Sequence, residues 1–95
     1  MRFEWDEAKN HENRVNHGIS FETAILVFDD PLHVSVQDRV ERGEPRWQTI
    51  GVMNGVVLIV VAHTIWQEGE EEVVRIISAR KPDASERRRY EEADR

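Results

Sequence analysis

Cysteine is absent from the 95 residues. That removes a disulfide framework, a thiolate metal site and a thiol nucleophile, and it fits a reducing cytoplasm. Long apolar runs are absent too: the longest, residues 56–62, is far too short to span a bilayer. No export signal is expected, because Met1-Arg2-Phe3-Glu4-Trp5-Asp6 turns acidic where the apolar part of a signal should begin. A cytoplasmic protein without membrane contact is the expectation. Glycine-rich phosphate loops and G-x-S-x-G elbows are missing, which leaves nucleotide hydrolysis and serine-esterase chemistry without support. The 4 histidines (His11, His17, His33 and His63) show neither H-x-x-x-H nor H-E-x-x-H spacing. Asp29-Asp30 and Glu70-Glu71-Glu72 lack the EF-hand pattern. No metal site and no cofactor are therefore expected.

What the chain has in quantity is charge. Charged residues make up 34% and hydrophobic residues 39%, as in a globular domain with a heavily solvated surface. The length predicts one domain, 1–95, with a single core and little stability to spare. The net charge of -6 argues by itself against a nucleic-acid binder, since phosphate contacts rely on Lys and Arg. Its distribution argues otherwise. Residues 75–89 hold six basic side chains (Arg75, Arg80, Lys81, Arg87, Arg88, Arg89) against two acidic ones (Asp83, Glu86). The acidic remainder, notably Glu68 and Glu70-Glu71-Glu72, would equally suit a basic protein partner.

Residues 3–5 alternate as a short strand. Asp6 is a plausible N-cap for a helix to about His17, closed by Gly18. Ser20 caps a second helix in which Phe21, Ala24, Ile25 and Phe28 share a face. Asp29-Asp30-Pro31 stops it. Strands are predicted over 32–36, 46–53, 56–64 and 72–79. Residues 38–45 read as a polar, mobile loop, and Asn54-Gly55 as a type I′ hairpin turn. Asp83-x-x-Glu86 resembles a capping box that opens a last helix, to about Ala93. The expected fold is α+β: an antiparallel sheet of four meandering strands after an N-terminal helical hairpin, with a C-terminal helix and all helices on one face.

His63 ends the apolar strand and shares a face with Val57, Ile59 and Val61 by two-residue counting. It is either a core-capping histidine or a proton-transfer group at the edge of an exposed face. Arg46-Trp47 could stack a base and neutralise a phosphate, or place Trp47 in the core. Arg75 and Arg80 should fall on opposite faces of a regular strand, so a common site requires a twist, a bulge or an early end. Arg87, Arg88 and Arg89 spread around the helix, where pairing with Glu91 and Glu92 would solvate them. Tyr90 can pack its ring on the sheet and offer its hydroxyl at the edge. One histidine and a few arginines suffice for metal-free RNA cleavage, in which the ribose 2′-OH attacks the adjacent phosphate. Many small domains carry such residues.

The order of longer motifs is more specific. Phe3-Glu4-Trp5-Asp6-x-x-Lys9-Asn10, His17-Gly18-Ile19-Ser20-Phe21-Glu22-x-Ala24 and Val27-Phe28-Asp29-Asp30-Pro31 precede Arg46-Trp47 with Ile50-Gly51. Val61-x-His63-Thr64, Arg75-Ile76-Ile77-Ser78-Ala79-Arg80 and Glu86-Arg87-Arg88-x-Tyr90 follow. Together they resemble the BrnT family of toxins from bacterial type II toxin–antitoxin pairs. The resemblance implies a fold similar to the RelE/ParE toxins and a ribonuclease that blocks translation. It implies neutralisation by a small DNA-binding BrnA-like antitoxin, in a heterotetramer around an antitoxin dimer, with operator DNA reached only through that partner. Carried over by position, it implies an active surface with His63, His17, Arg75 and Arg80 as catalytic residues and Arg46, Lys9 and Tyr90 contacting RNA or its phosphates. By their own chemistry, a stacking ring and a rim cation, Trp47 and Lys81 are expected to join the RNA contacts. The family commonly has Lys before His-Gly, where this chain has Asn16. That substitution and the acidic turn favour a second reading, a catalytically weak homologue that only binds its antitoxin. A third is a ParE-like toxin with a protein target, which needs no nuclease residues.

Overall fold

Asp6 and Ser20 open the N-terminal helices as their side chains predict. The Asp6 carboxylate accepts hydrogen bonds from the amides of Ala8 (2.8 Å) and Lys9 (3.4 Å), satisfying first-turn donors of α1, Glu7–His17. Gly18 ends α1 in the left-handed region, φ 71°, where a Cβ would be strained. Ser20 caps α2, Phe21–Ala24, through the Thr23 amide. The helix expected over 20–28 then tightens into a 3₁₀ segment, Ile25–Asp29. This segment crosses the sheet at Gly51, where a Cβ would lie 3.0 Å from that of Val27. The computed structural model describes residues 1–93.

Five strands follow the order β1-β5-β4-β3-β2. They are β1 Arg2–Glu4, β2 Val34–Glu41, β3 Glu44–Met53, β4 Val57–Glu68 and β5 Glu71–Arg80. The sheet is mixed rather than antiparallel throughout. β1 runs parallel to β5, with Phe3 opposite Val74, because two helices and three strands separate them in the chain. The predicted loop at 38–45 is instead the tip of the β2–β3 hairpin. Glu41 pairs with Glu44 across Arg42-Gly43, whose φ values of 54° and 77° match a two-residue primed turn. Arginine is an uncommon residue there, so the sequence carried a weak turn signal. Asn54-Gly55 turns as expected, with φ 56° and 71° and the Val56 amide donating to the Met53 carbonyl.

Strand alternation separates two cores. On one face Ile59, Val61, Val74, Ile76 and Ala79 pack with Ile19, Phe21, Ala24 and Val27 of the helical hairpin. On the other, Ile50, Leu58 and Val60 pack with Val52 and with Tyr90 of α3, Ala84–Glu91. The helices therefore do not all share one face: α3 lies opposite the hairpin. The Asp83–Glu86 capping box opens it as predicted, though it ends at Glu91 rather than near Ala93. Asp30 ties the layers together, its Oδ2 accepting from Tyr90 Oη (2.7 Å) and the Val52 amide (2.9 Å). Burial alone would raise the Asp30 pKa, but the hydrogen bonds from Tyr90, Leu32 and Val52 outweigh it and lower it. Among the described residues, no helix is long and apolar enough to cross a membrane.

Candidate functional site

β5 brings its two arginines to one face by a bulge. Ala62 pairs with Ser78, but His63 pairs with Ile76, so Ile77 is an extra residue in β5. Val74 and Ile76 face the hairpin before the bulge, and Ala79 faces it again afterwards. Arg75 and Arg80 consequently both point to the α3 side. Arg46 joins them, since it lies four residues from Ile50, which belongs to that face. The pairings Trp47–His63 and Thr64–Arg75 align Arg46, Thr64 and Arg75 in one row across β3, β4 and β5. The next row holds Gln48, Ala62 and Ser78, all half-buried. α3 covers the far end of this face, where Ser85, Glu86 and Arg89 line a concavity with Gln48 of the second row.

Each arginine is held by a carboxylate from another position. Arg75 Nη1 donates to Glu4 Oε1 at 3.0 Å, and Arg46 Nη2 lies 3.7 Å from Glu41 Oε2. Arg80 forms a fork on Glu86, both bonds at 2.8 Å. The hydrogen bonds from Arg80 push the Glu86 pKa down to about 2 against the effect of burial, with the Asp83 amide assisting. The same contact raises the Arg80 pKa.

His63 is elsewhere. It faces the hairpin core and is only 3% exposed. Its ring meets Phe28 edge-on at 5.2 Å, and its Nε2 shares a 2.8 Å hydrogen bond with Thr49 Oγ1, which is linked in turn to Ser35 Oγ at 2.7 Å. Burial pushes its pKa down to about 4, so the imidazole is neutral at pH 7. Period-two counting placed His63 correctly with Val61 and Ile59, and that face is the covered one. Trp47 lies half-buried on the same side. Tyr90 is committed to Asp30 and the α3 core.

His17 is exposed at the end of α1. It lines a shallow concavity of about 350 Å³ with Asn16, Arg80 and Lys81. An adjoining one of about 280 Å³ contains His17, Lys9, Ile77 and Ser78. The structure thus gathers Lys9, His17, Arg80 and Lys81 at the rim beside the bulge and Arg46 and Arg75 on the α3 face of the sheet. It separates His63, Trp47 and Tyr90 from both groups. Among the described residues, no cluster of three or more His, Cys, Asp and Glu side chains could hold a metal ion.

The model of the ribonuclease toxin BrnT of type II toxin–antitoxin systems matches residues 5–86. The chain belongs to the BrnT family. The 1.1 Å crystal structure of the Brucella abortus ribonuclease toxin BrnT is similar to it, with a TM-score of 0.66 and 25% identity over 87% of this chain and 97% of that one. Among curated proteins, no relative matches. As a toxin of a type II system, a BrnT-family member has an antitoxin as its partner.

Sequence reasoning missed three parts of this BrnT-family surface. Thr64 belongs to the Val61-x-His63-Thr64 motif, which gives it no role, yet it occupies the middle of the arginine row. The restraining carboxylates escape sequence reading: Glu4 lies in the first motif but 71 positions from Arg75, and Glu41 lies in a segment that reads as a polar loop. Asn13, inside α1, carries no sequence signal for its role. Its side chain bonds both the amide and the carbonyl of Ala79, holding α1 against β5 beside the bulge.

Proposed function

We propose that this chain is a metal-independent endoribonuclease: the ribose 2′-OH loses its proton and attacks the adjacent phosphate, the P–O5′ bond breaks as the 5′-oxygen takes a proton, a 2′,3′-cyclic phosphate is left, and translation is inhibited. The observation that carries this is the convergence of Arg46, Arg75 and Arg80 on one sheet face through the Ile77 bulge. Guanidinium groups on a rigid sheet neutralise the charge that builds on phosphorus during in-line attack. Arg80, Lys81 and Lys9 bind the scissile phosphate at the rim beside His17, while Arg46 and Arg75 hold the flanking backbone on the sheet face. His17 is exposed and adjoins Arg80, so it serves as the proton-transfer group in place of the buried His63. Trp47 and Tyr90 serve the fold. The fold is RelE/ParE-like, with a helical hairpin and a C-terminal helix on opposite faces of a meander. A DNA-binding BrnA-like antitoxin neutralises the toxin in a cytoplasmic heterotetramer built on an antitoxin dimer, and contacts operator DNA itself.

One observation favours a second reading, a weak or inactive homologue that only binds antitoxin. All three face arginines are already paired with carboxylates, and the β4–β5 turn adds Glu68 and Glu71, which hold Arg2. Induced expression with and without the neighbouring antitoxin frame separates the two. The ribonuclease predicts growth arrest with fragmented RNA, and purified chain that cleaves labelled RNA in chelator. Arrest with intact RNA would defeat it. Normal growth despite soluble expression would establish the inactive homologue.

A further inference from the structure

The row Arg46, Thr64, Arg75 contains two polar atoms that the fold leaves unused. Thr64 Oγ1 and Arg46 Nε are buried, and neither has a hydrogen-bond partner among the described residues. Thr64 is only 2% exposed, and other buried polar side chains in this protein are satisfied: Asn10, Asn13, Thr49, His63 and Glu86 all have partners. A buried hydroxyl without a partner costs stability, and valine has the same shape and suits a strand. Packing therefore gives no reason for the hydroxyl. Its surroundings do. Arg75 is its direct partner on β5, and the β3–β4 register sets Arg46 on its other side. A hydroxyl donor flanked by two guanidinium groups on neighbouring strands is suited to a tetrahedral oxyanion, which presents oxygens to donors from three directions.

We propose that the Thr64 hydroxyl, Arg46 Nε and the Arg75 guanidinium form an oxyanion subsite that takes one phosphodiester of the RNA backbone, with Thr64 as a substrate-contacting residue. The occupant rests on the ribonuclease reading above. Thr64 donates to one non-bridging oxygen and Arg46 Nε–H to the same or the second oxygen, while Arg75 supplies charge. In the free protein Glu41 and Glu4 hold the two guanidinium groups. Those side chains are 26% and 43% exposed for Arg46 and Arg75, and both carboxylate contacts lie toward solvent, so a phosphate competes with Glu41 and Glu4 for the guanidinium groups.

The test follows the Arg46 Nε–H resonance of isotope-labelled protein with two probes. One is inorganic phosphate. The other is a short RNA oligonucleotide 2′-O-methylated throughout, which lacks the attacking hydroxyl. The oligonucleotide should shift this resonance in a saturable manner. Thr64→Val should abolish the shift and weaken oligonucleotide binding about tenfold, while Thr64→Ser stays within about threefold of wild type. The valine variant should melt at or above the wild-type temperature, because it removes an unpaired buried hydroxyl. An Arg46 resonance unmoved by both probes would overturn the proposal, as would valine binding like wild type. A valine variant that melts well below wild type would assign the hydroxyl to the fold and overturn it equally. A shift with phosphate but not oligonucleotide, with no cleavage of RNA by wild type, would retain the oxyanion subsite and overturn both its RNA occupant and the ribonuclease reading.

Discussion

Arg75 and Arg80 share one face of the sheet because Ile77 is an additional residue in β5. They differ in what else they do. The Arg75–Glu4 pair is 43% and 36% exposed at its two side chains, a surface pair of small worth. The Arg80–Glu86 fork closes over a carboxylate whose residue is 7% exposed and anchors the start of α3. Arg75→Ala should therefore cost less than about 1 kcal/mol of stability but lower RNA cleavage at least about tenfold. Arg80→Ala should lose activity and also about 2–3 kcal/mol, since it strands Glu86. Urea denaturation beside a cleavage assay distinguishes them; equal destabilisation would contradict the assignment.

His63 makes folding stability depend on pH. Its folded pKa of about 4 lies below the ordinary 6.5, so the unfolded chain binds the proton first. Stability is full above pH 6.5 and is lost as pH falls toward 4. Wild type should lose about 2–3 kcal/mol between pH 7 and pH 4.5, and His63→Gln should flatten that part of the profile. Glu86, depressed from 4.5 to about 2, adds a further loss as pH falls through that lower window. Cleavage by His63→Gln at neutral pH should stay within about threefold of wild type, because the imidazole touches Thr49 and Phe28 rather than the α3 face of the sheet. A large loss of activity in a variant that is folded would restore His63 to the chemistry.

Gly51 is where the 3₁₀ segment meets β3. A Cβ there would lie 3.0 Å from Val27 Cβ, 3.1 Å from the Val27 carbonyl oxygen and 3.3 Å from His33 Cβ. Backbone as well as side chain must yield, so Gly51→Ala should destabilise by about 1–3 kcal/mol in denaturant titration. An unchanged midpoint would mean that the hairpin is free to shift.

Asn13 substitutes for a neighbouring strand. Its Nδ2 donates to the carbonyls of Ile19 (2.8 Å) and Ala79 (2.9 Å), and its Oδ1 accepts from the Ala79 amide at 3.1 Å. Asn13→Ala should cost about 2–4 kcal/mol and leave the Ala79 amide open to hydrogen exchange. Retained protection of that amide would contradict the role.

Local chemistry was legible in the residues themselves. Asp6, Ser20, Gly18, Asn54-Gly55 and the Asp83–Glu86 box act through neighbours a few positions away, so each worked as read. Arg42-Gly43 did not announce its turn, because hairpin pairing imposed a positive φ on a residue that seldom chooses it. The parallel β1 and the placement of α3 opposite the hairpin depend on contacts between distant segments, which periodicity does not encode.

The sequence by itself determined the family, the helical hairpin, the apolar strands and the stock of cations near the C-terminus. Only the tertiary structure decided which of these residues meet. One inserted residue, Ile77, turned Arg80 to the side of Arg75, whereas the covering hairpin buried His63, the residue with the most familiar catalytic chemistry. Strand alternation names two faces, but the packing of α1, α2 and α3 decides which stretch of either face a substrate can reach.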